Sequence, residues 1–184
     1  MFPSHDQNGN ENEGRLTFHT RNGESGGAPL ARMTLNNRGN LGLGVTPDET
    51  NTNYDCLQVG GNASILSFGT QGASGEVDFN HNVHYNQAGN YVYQSTDEAT
   101  RYRQGGGRHI WYSASSGTAG NTISFTERLR IDQNGTIGIN VESPTQDALL
   151  HMKENQAAYT RFIVENTTTA TAAQALDRDW ETLH

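Results

Sequence analysis

The sequence predicts an all-β protein built of short-stranded repeat units. Three observations carry this reading. Apolar and polar residues alternate in many short runs, the period of a strand with one buried face. Asn/Gly turn signals separate the runs, at "RNG", "NRGN", "QAGN" and "QNG". The stretch "ARMTLNNRGNLGLGVTP" returns as "ERLRIDQNGTIGINVESP" 96 positions later, with Arg32 matching Arg128 and Leu41 matching Ile137.

The elements come in order. Residues 1–13 read as a flexible N-terminal segment, and "MFPSHDQNGNENEG" lacks the apolar run of a signal peptide. Residues 14–59 form a first unit: hairpin, arginine strand, glycine motif, proline link and closing strand. There "RLTF" puts Leu16 and Phe18 on one face, and "ARMTL" does so with Ala31, Met33 and Leu35. "NLGLGV" aligns Leu41, Leu43 and Val45, with Gly42 and Gly44 opposite, and "CLQV" closes with Leu57 and Val59. Gly39 and its counterpart Gly135 sit in turns that need positive φ. Gly42, bare of a side chain, is expected to meet the backbone or a ring of another chain. Residues 60–107 are a middle segment rich in aromatics and histidine, with strands at "EVDF" and "YVY".

Residues 108–152 repeat the unit. "HIWY" places Ile110 and Tyr112 on one side and Trp111 on the other. "TISF", "RLRI" and "TIGINV" add Ile123 with Phe125, Leu129 with Ile131, and Ile137, Ile139 and Val141. Leu43 and Ile139 are expected in equivalent, buried positions. Residues 153–184 read as the start of a further element, so that the whole reads as a fragment of a longer protein. No amphipathic helix precedes residue 165.

Composition bounds the partners. The chain of 184 residues is 33% hydrophobic and 8% aromatic, with a mean hydropathy of −0.75. Each short strand buries two or three side chains at about 25 cal/mol per Å², while ordering costs about 1–2 kcal/mol per residue. Several identical chains sharing apolar faces in one axial core would close that difference. Hairpins of a monomeric sandwich are the alternative. Net charge is −8, with 12 basic and 20 acidic residues, and Lys153 is the one lysine. That excludes the basic footprint of a nucleic-acid binder. Arg101, Arg103 and Arg108 read as a solvated edge. Cys56 stands alone, so no intrachain disulfide forms. No stretch is long enough for an apolar membrane span.

Candidate chemistry concentrates in the middle of the chain. Glu76 with Asp78 on one strand face, and Asp97 with Glu98 in a turn, are the carboxylate pairs a glycosidase would need. No motif fixes a third residue or a base beside them, and the chain is read as a non-enzyme. "QGGGR" lacks the spacing of a phosphate loop, and no cofactor is implied. His81 and His84, three apart on a strand, face opposite ways, so one chain cannot offer both to one metal. Sugars are held by ring faces and planar polar groups. Tyr91, Tyr93, Arg101, Tyr102, Arg103, His109 and Trp111 cluster in sequence as carbohydrate-binding candidates, with burial in the core of the middle segment as the competing reading.

The duplicated motif resembles the "ERMRID-x-x-G-N-V-G-I-G-x-x-x-P" repeats of bacteriophage tail fibres and tailspikes, and "LQVGGNA" resembles the segment that comes after such a repeat. The likeness covers both units well and the middle loosely. It implies a homotrimer of β-structure around a three-fold axis, located in the virion and serving attachment to host surface polysaccharide. A three-fold axis would turn one inward histidine into three metal ligands. Related repeats imply two other settings, a polysaccharide-degrading tailspike module and a bacterial adhesin stalk. The chain departs from the family in two ways. Lys153, in "HMKEN", has no serine near it for the serine–lysine pair of the family's self-cleaving chaperone domain, and Asn140 stands where Gly44 stands in the first copy.

Overall fold

The computed structural model describes residues 14–21, 28–69 and 73–154. The expected segment 1–13, and all of the expected segment 153–184 beyond residue 154, lie outside the described residues. All thirteen described elements are strands, as the alternation predicts, and there is no helix among them. They are β1 Leu16–Thr20, β2 Leu30–Leu35, β3 Leu41–Leu43, β4 Tyr54–Val59, β5 Ala63–Phe68, β6 Glu76–His81 and β7 Val83–Tyr85. The chain continues with β8 Tyr91–Tyr93, β9 Asp97–Gly105, β10 Arg108–Gly117, β11 Thr126–Ile131, β12 Ile137–Ile139 and β13 Leu150–Met152.

Eleven strands form one sheet in the order β1-β2-β3-β4-β5-β6-β9-β10-β11-β12-β13, and β7 and β8 form a separate hairpin. Neighbours are antiparallel except β3–β4 and β12–β13, which are parallel. The parallel steps arise from their links, which carry Pro47 and Pro144. Parallel partners need a connection that returns the chain to the same end.

Turn chemistry explains the tight corners. Asn36 N donates to Asn40 O at 3.0 Å and Gly39 N to Asn36 O at 3.1 Å, with Gly39 at φ 83°. The same five-residue turn recurs at Asn86–Asn90 with Gly89 at φ 83°, and at Asp132–Thr136 with Gly135 at φ 83°. Only glycine takes that φ without a steric penalty. A different device ends β6. Asn82, fully buried at φ 59°, accepts from Ser95 N and Oγ and donates to Ser95 O and Glu98 O. Its side chain ties the β6–β7 corner to the start of β9.

Register equivalence between the first four and last four strands is detailed. In β1–β2 the pairing shifts between Phe18 and His19, leaving Arg32 between the paired Ala31 and Met33. In β10–β11 it shifts between Trp111 and Tyr112, leaving Arg128 between Glu127 and Leu129. Each arginine then donates from Nε to a hydroxyl, Thr20 for Arg32 and Ser113 for Arg128, both at 2.9 Å. Leu43 pairs with Met33 and Ile139 with Leu129, so those two occupy matching positions.

Several local expectations are corrected. Leu43 and Ile139 are 38% and 37% exposed in the single chain, not buried. β3 and β12 last three residues, because Gly44 (φ 70°) and Asn140 (φ 54°) turn left-handed and end the alternation before Val45 and Val141. Gly42 meets its own chain: a Cβ there would overlap Val45 O and lie 2.7 Å from Pro47 Cδ. Ile123 and Phe125 stand in a connection, not a strand. Ile123 N donates to Tyr91 O at 2.8 Å, and its side chain joins Val83, Tyr93 and Ala99 in the apolar cluster under the β7–β8 hairpin. β5 and most of β9 have too few alternating apolar residues to announce themselves.

The two sheet faces differ sharply. The covered face, beneath the links and the hairpin, is rich in polar groups: Thr34, Gln58, Ser64, Asn80, Asp78, Arg101 and Arg130 are all buried. The other face lies open and carries an apolar row among scattered polar residues. Register carries one row across all eleven strands: Leu16, Leu35, Leu41, Leu57, Ile65, Phe79, Tyr102, Trp111, Leu129, Ile139 and Met152.

Candidate functional site

The residues singled out for sugar contact divide between the two faces, because neighbours on a strand point opposite ways. Tyr102, His109 and Trp111 stand on the open face. Tyr102 stacks on Trp111 at 4.8 Å and on Phe79 at 6.1 Å between ring centroids, and its hydroxyl lies 2.6 Å from His109 Nδ1. Phe79 belongs to this aromatic strip. Its parity with Tyr102 across β6 and β9 is a pairing that one strand's pattern cannot reveal.

Arg101, Arg103 and Tyr91 lie on the covered face. Arg103 donates from Nε to Asp78 Oδ1 at 2.8 Å and from Nη2 to Asp78 Oδ2 at 2.9 Å. Its Nη2 also sits 2.7 Å from Glu76 Oε1 and donates to Tyr91 Oη at 2.6 Å. Burial opposes charge on this guanidinium. The hydrogen bonds and charge of Asp78, joined by Tyr91 and Glu76, more than offset it and raise its pKa. Burial pushes the Tyr91 phenol up as well, with Asp78 adding to the effect. The Arg101 guanidinium lies over the rings of Tyr91, Tyr112 and Phe125 at 4.5, 4.2 and 4.5 Å. Arg101, buried, and Arg103, half-buried, are therefore parts of a network and not a solvated edge. Tyr93 belongs to the apolar cluster, its hydroxyl donating to Ser115 O at 2.6 Å.

The carboxylate pairs are engaged elsewhere or exposed. Arg103 engages both Glu76 and Asp78, and Asp78 is 1% exposed. As arranged they form an ion cluster joining β6 to β9. Asp97 and Glu98 open β9 instead of lying in a turn, and both are exposed. His81 ends β6 on the open face, whereas His84 lies in the separate hairpin, 4.0 Å from Asp48 Oδ2. Among the described residues no three His, Cys, Asp or Glu side chains converge as a metal site.

The described residues offer a large open apolar face with its aromatic strip, and a smaller polar cleft at the far end of β10. Comparison with protein-family models and with curated proteins returns no match.

Proposed function

We propose that the chain is a structural module that works as an assembly of identical copies joined through the open apolar face. Within that class, we read it as a segment of a homotrimeric phage tail fibre or tailspike, contributing to virion attachment to host surface glycans. One observation carries the assembly: the apolar row runs uninterrupted across eleven strands while the opposite, covered face holds the polar groups. Isolated exposed apolar side chains need no explanation, but a contiguous apolar surface marks an interface. Leu16, Leu35, Phe79, Ile139 and Met152 are 43, 38, 43, 37 and 38% exposed, and the adjoining row adds Phe18 at 46%, Leu43 at 38% and Val59 at 46%. Each has about 1 kcal/mol still to gain from burial. The choice of trimer and of virion rests on the duplicated motif and its resemblance, and the matching registers of β1–β4 and β10–β13 suit a repeat unit.

The test is mass in solution. Light scattering should give three times the 20.1 kDa of the chain. Ile65→Lys, in the middle of the row, should release folded single chains. A folded monomer for the parent protein, or an Ile65→Lys variant that still assembles, would overturn the reading.

A further inference from the structure

The polar cleft at the far end of β10 lies beyond the apolar row and apart from the ion cluster of β6 and β9. It has a volume of about 370 Å³, within the range of small-ligand pockets. Its walls come from the end of β10, the start of β11, the connection between them, and Tyr93 of β8.

The walls are built rather than incidental. Gly117 lies flush on the Tyr93 ring, so closely that a Cβ there would be 2.6 Å from Tyr93 Cζ. The Tyr93 hydroxyl is committed to Ser115 O, which fixes the ring against β10. Ser113, Thr126 and Asn121 supply hydroxyl and amide groups. Arg128 reaches the cleft because the irregularity in β10–β11 leaves it unpaired between Glu127 and Leu129. Its Nε is held by Ser113 Oγ at 2.9 Å, and its two terminal nitrogens make no hydrogen bond among the described residues.

The chemistry of this set is selective. Among the described residues, no carboxylate lines the cleft. A net charge of −8 otherwise repels anions over the surface at large, so an acid-free cleft with one anchored guanidinium is where an anion can approach. A guanidinium held at Nε presents its outer nitrogens as a fork for a carboxylate. Serine and threonine hydroxyls, with an amide, exchange donor and acceptor roles with sugar hydroxyls.

We propose that this cleft binds a carboxylate-bearing sugar residue, a hexuronate or its like, within a surface polysaccharide. Arg128 takes the carboxylate, and Ser113, Thr126 and Asn121 take ring hydroxyls. The lining holds no carboxylate pair, so the proposal is binding without cleavage. It shares with the attachment reading the idea of glycan contact, but uses different residues from the aromatic strip and does not require assembly.

The experiment is calorimetric titration of the full chain with a tri-galacturonate and with its methyl ester. Saturable binding of the acid, at least tenfold tighter than of the ester, is expected. Arg128→Gln should weaken the acid tenfold or more, Arg128→Lys should weaken it less, and Arg32→Gln, at the matching position of β2, should leave it unchanged. Circular dichroism confirms that each variant folds. No saturable binding, equal binding of acid and ester, or equal losses from Arg32→Gln and Arg128→Gln would overturn the proposal. Mass is recorded on the same samples. A trimer that ignores the acid sinks this site alone, and a monomer that binds it sinks the assembly alone.

Discussion

Gly42, Gly44 and Asn140 show how far single positions decide the local path. A methyl on Gly42 would overlap the Val45 carbonyl, a backbone atom that cannot swing aside. Gly42→Ala should therefore lower stability by about 1–3 kcal/mol, the usual range for overpacking, in a single chain as much as in an assembly. Gly44 has open space around its Cα but a φ of 70°, and Asn140 holds the matching place at 54°. Asparagine tolerates that region better than other side chains. Gly44→Asn should leave the melting temperature nearly unchanged, whereas Gly44→Val should lower it. Thermal melts of the three variants beside the parent give the answer directly.

His84 makes a second residue-scale prediction. Burial lowers its pKa below the ordinary 6.5, against the opposing pull of Asp48 and a backbone hydrogen bond at Glu49. The folded state thus binds its proton less readily than the unfolded chain. Its contribution is fully present above pH 6.5 and is lost as pH falls below it. Urea unfolding at pH 7 and pH 5 should show a loss of stability on acidification, and His84→Gln should shrink that loss. An identical slope for parent and variant would refute the role.

Among elements, the β6–β9 junction carries the densest electrostatics. Asp78 is 1% exposed and depends on the bidentate grip of Arg103 from the neighbouring strand. Removing one partner of a buried pair strands the other charge, at a cost of about 3–5 kcal/mol. Arg103→Leu should fall in that range by chemical denaturation. Arg103→Leu combined with Asp78→Leu should recover part of it, because the most deeply buried carboxylate leaves with its partner, while Glu76 and Arg101 each still lose an ion partner. A double variant as weak as the single one would show that the loss came from packing and not from charge.

Elements differ in how plainly the sequence announces them. Strands with two or three alternating apolar residues, such as "ARMTL" and "ERLRI", were legible because one face needs burial wherever it goes. β9 was not, since its covered positions include Arg101 and Arg103, whose burial depends on Asp78 and on rings from other segments. The arginine cluster looked solvated for the same reason: a local charge count holds no information about a partner 25 positions away. The sugar-contact candidates cluster in sequence, but their division between faces comes from strand parity combined with a register that only the folded sheet defines. The cleft at Arg128 left a faint trace, an arginine leading each strand of the duplicated motif. Nothing in the pattern told that the hairpin connection would wall it.

At the scale of the whole molecule, Cys56 reports cooperativity. The thiol is 6% exposed, and burial, with Asp48 nearby, pushes its pKa up to about 12. The thiolate is the reactive form. At pH 8 iodoacetamide should modify Cys56 only when β4 opens, with a rate that tracks the global unfolding equilibrium over rising urea. Fast modification in the absence of urea would mean that β4 detaches on its own.

The parallel steps at β3–β4 and β12–β13 have a mechanical meaning. Between β1 and β13 lie ten hydrogen-bonded junctions of about 4.8 Å each, linked in series like springs. Tension applied along that direction loads every junction equally, so the shortest ones yield first. β3–β4 and β12–β13 each join through three paired positions, as do β2–β3 and β11–β12, but only the two parallel junctions have ten-residue links behind them that hold slack. Pulled from its ends, the sheet should lengthen first at these two places while β5, β6, β9 and β10 stay closed. Single-molecule extension should then show two small early releases before the main rupture. The links anchored by Pro47 and Pro144 would act as extensible joints, letting the module absorb a sudden pull without coming apart.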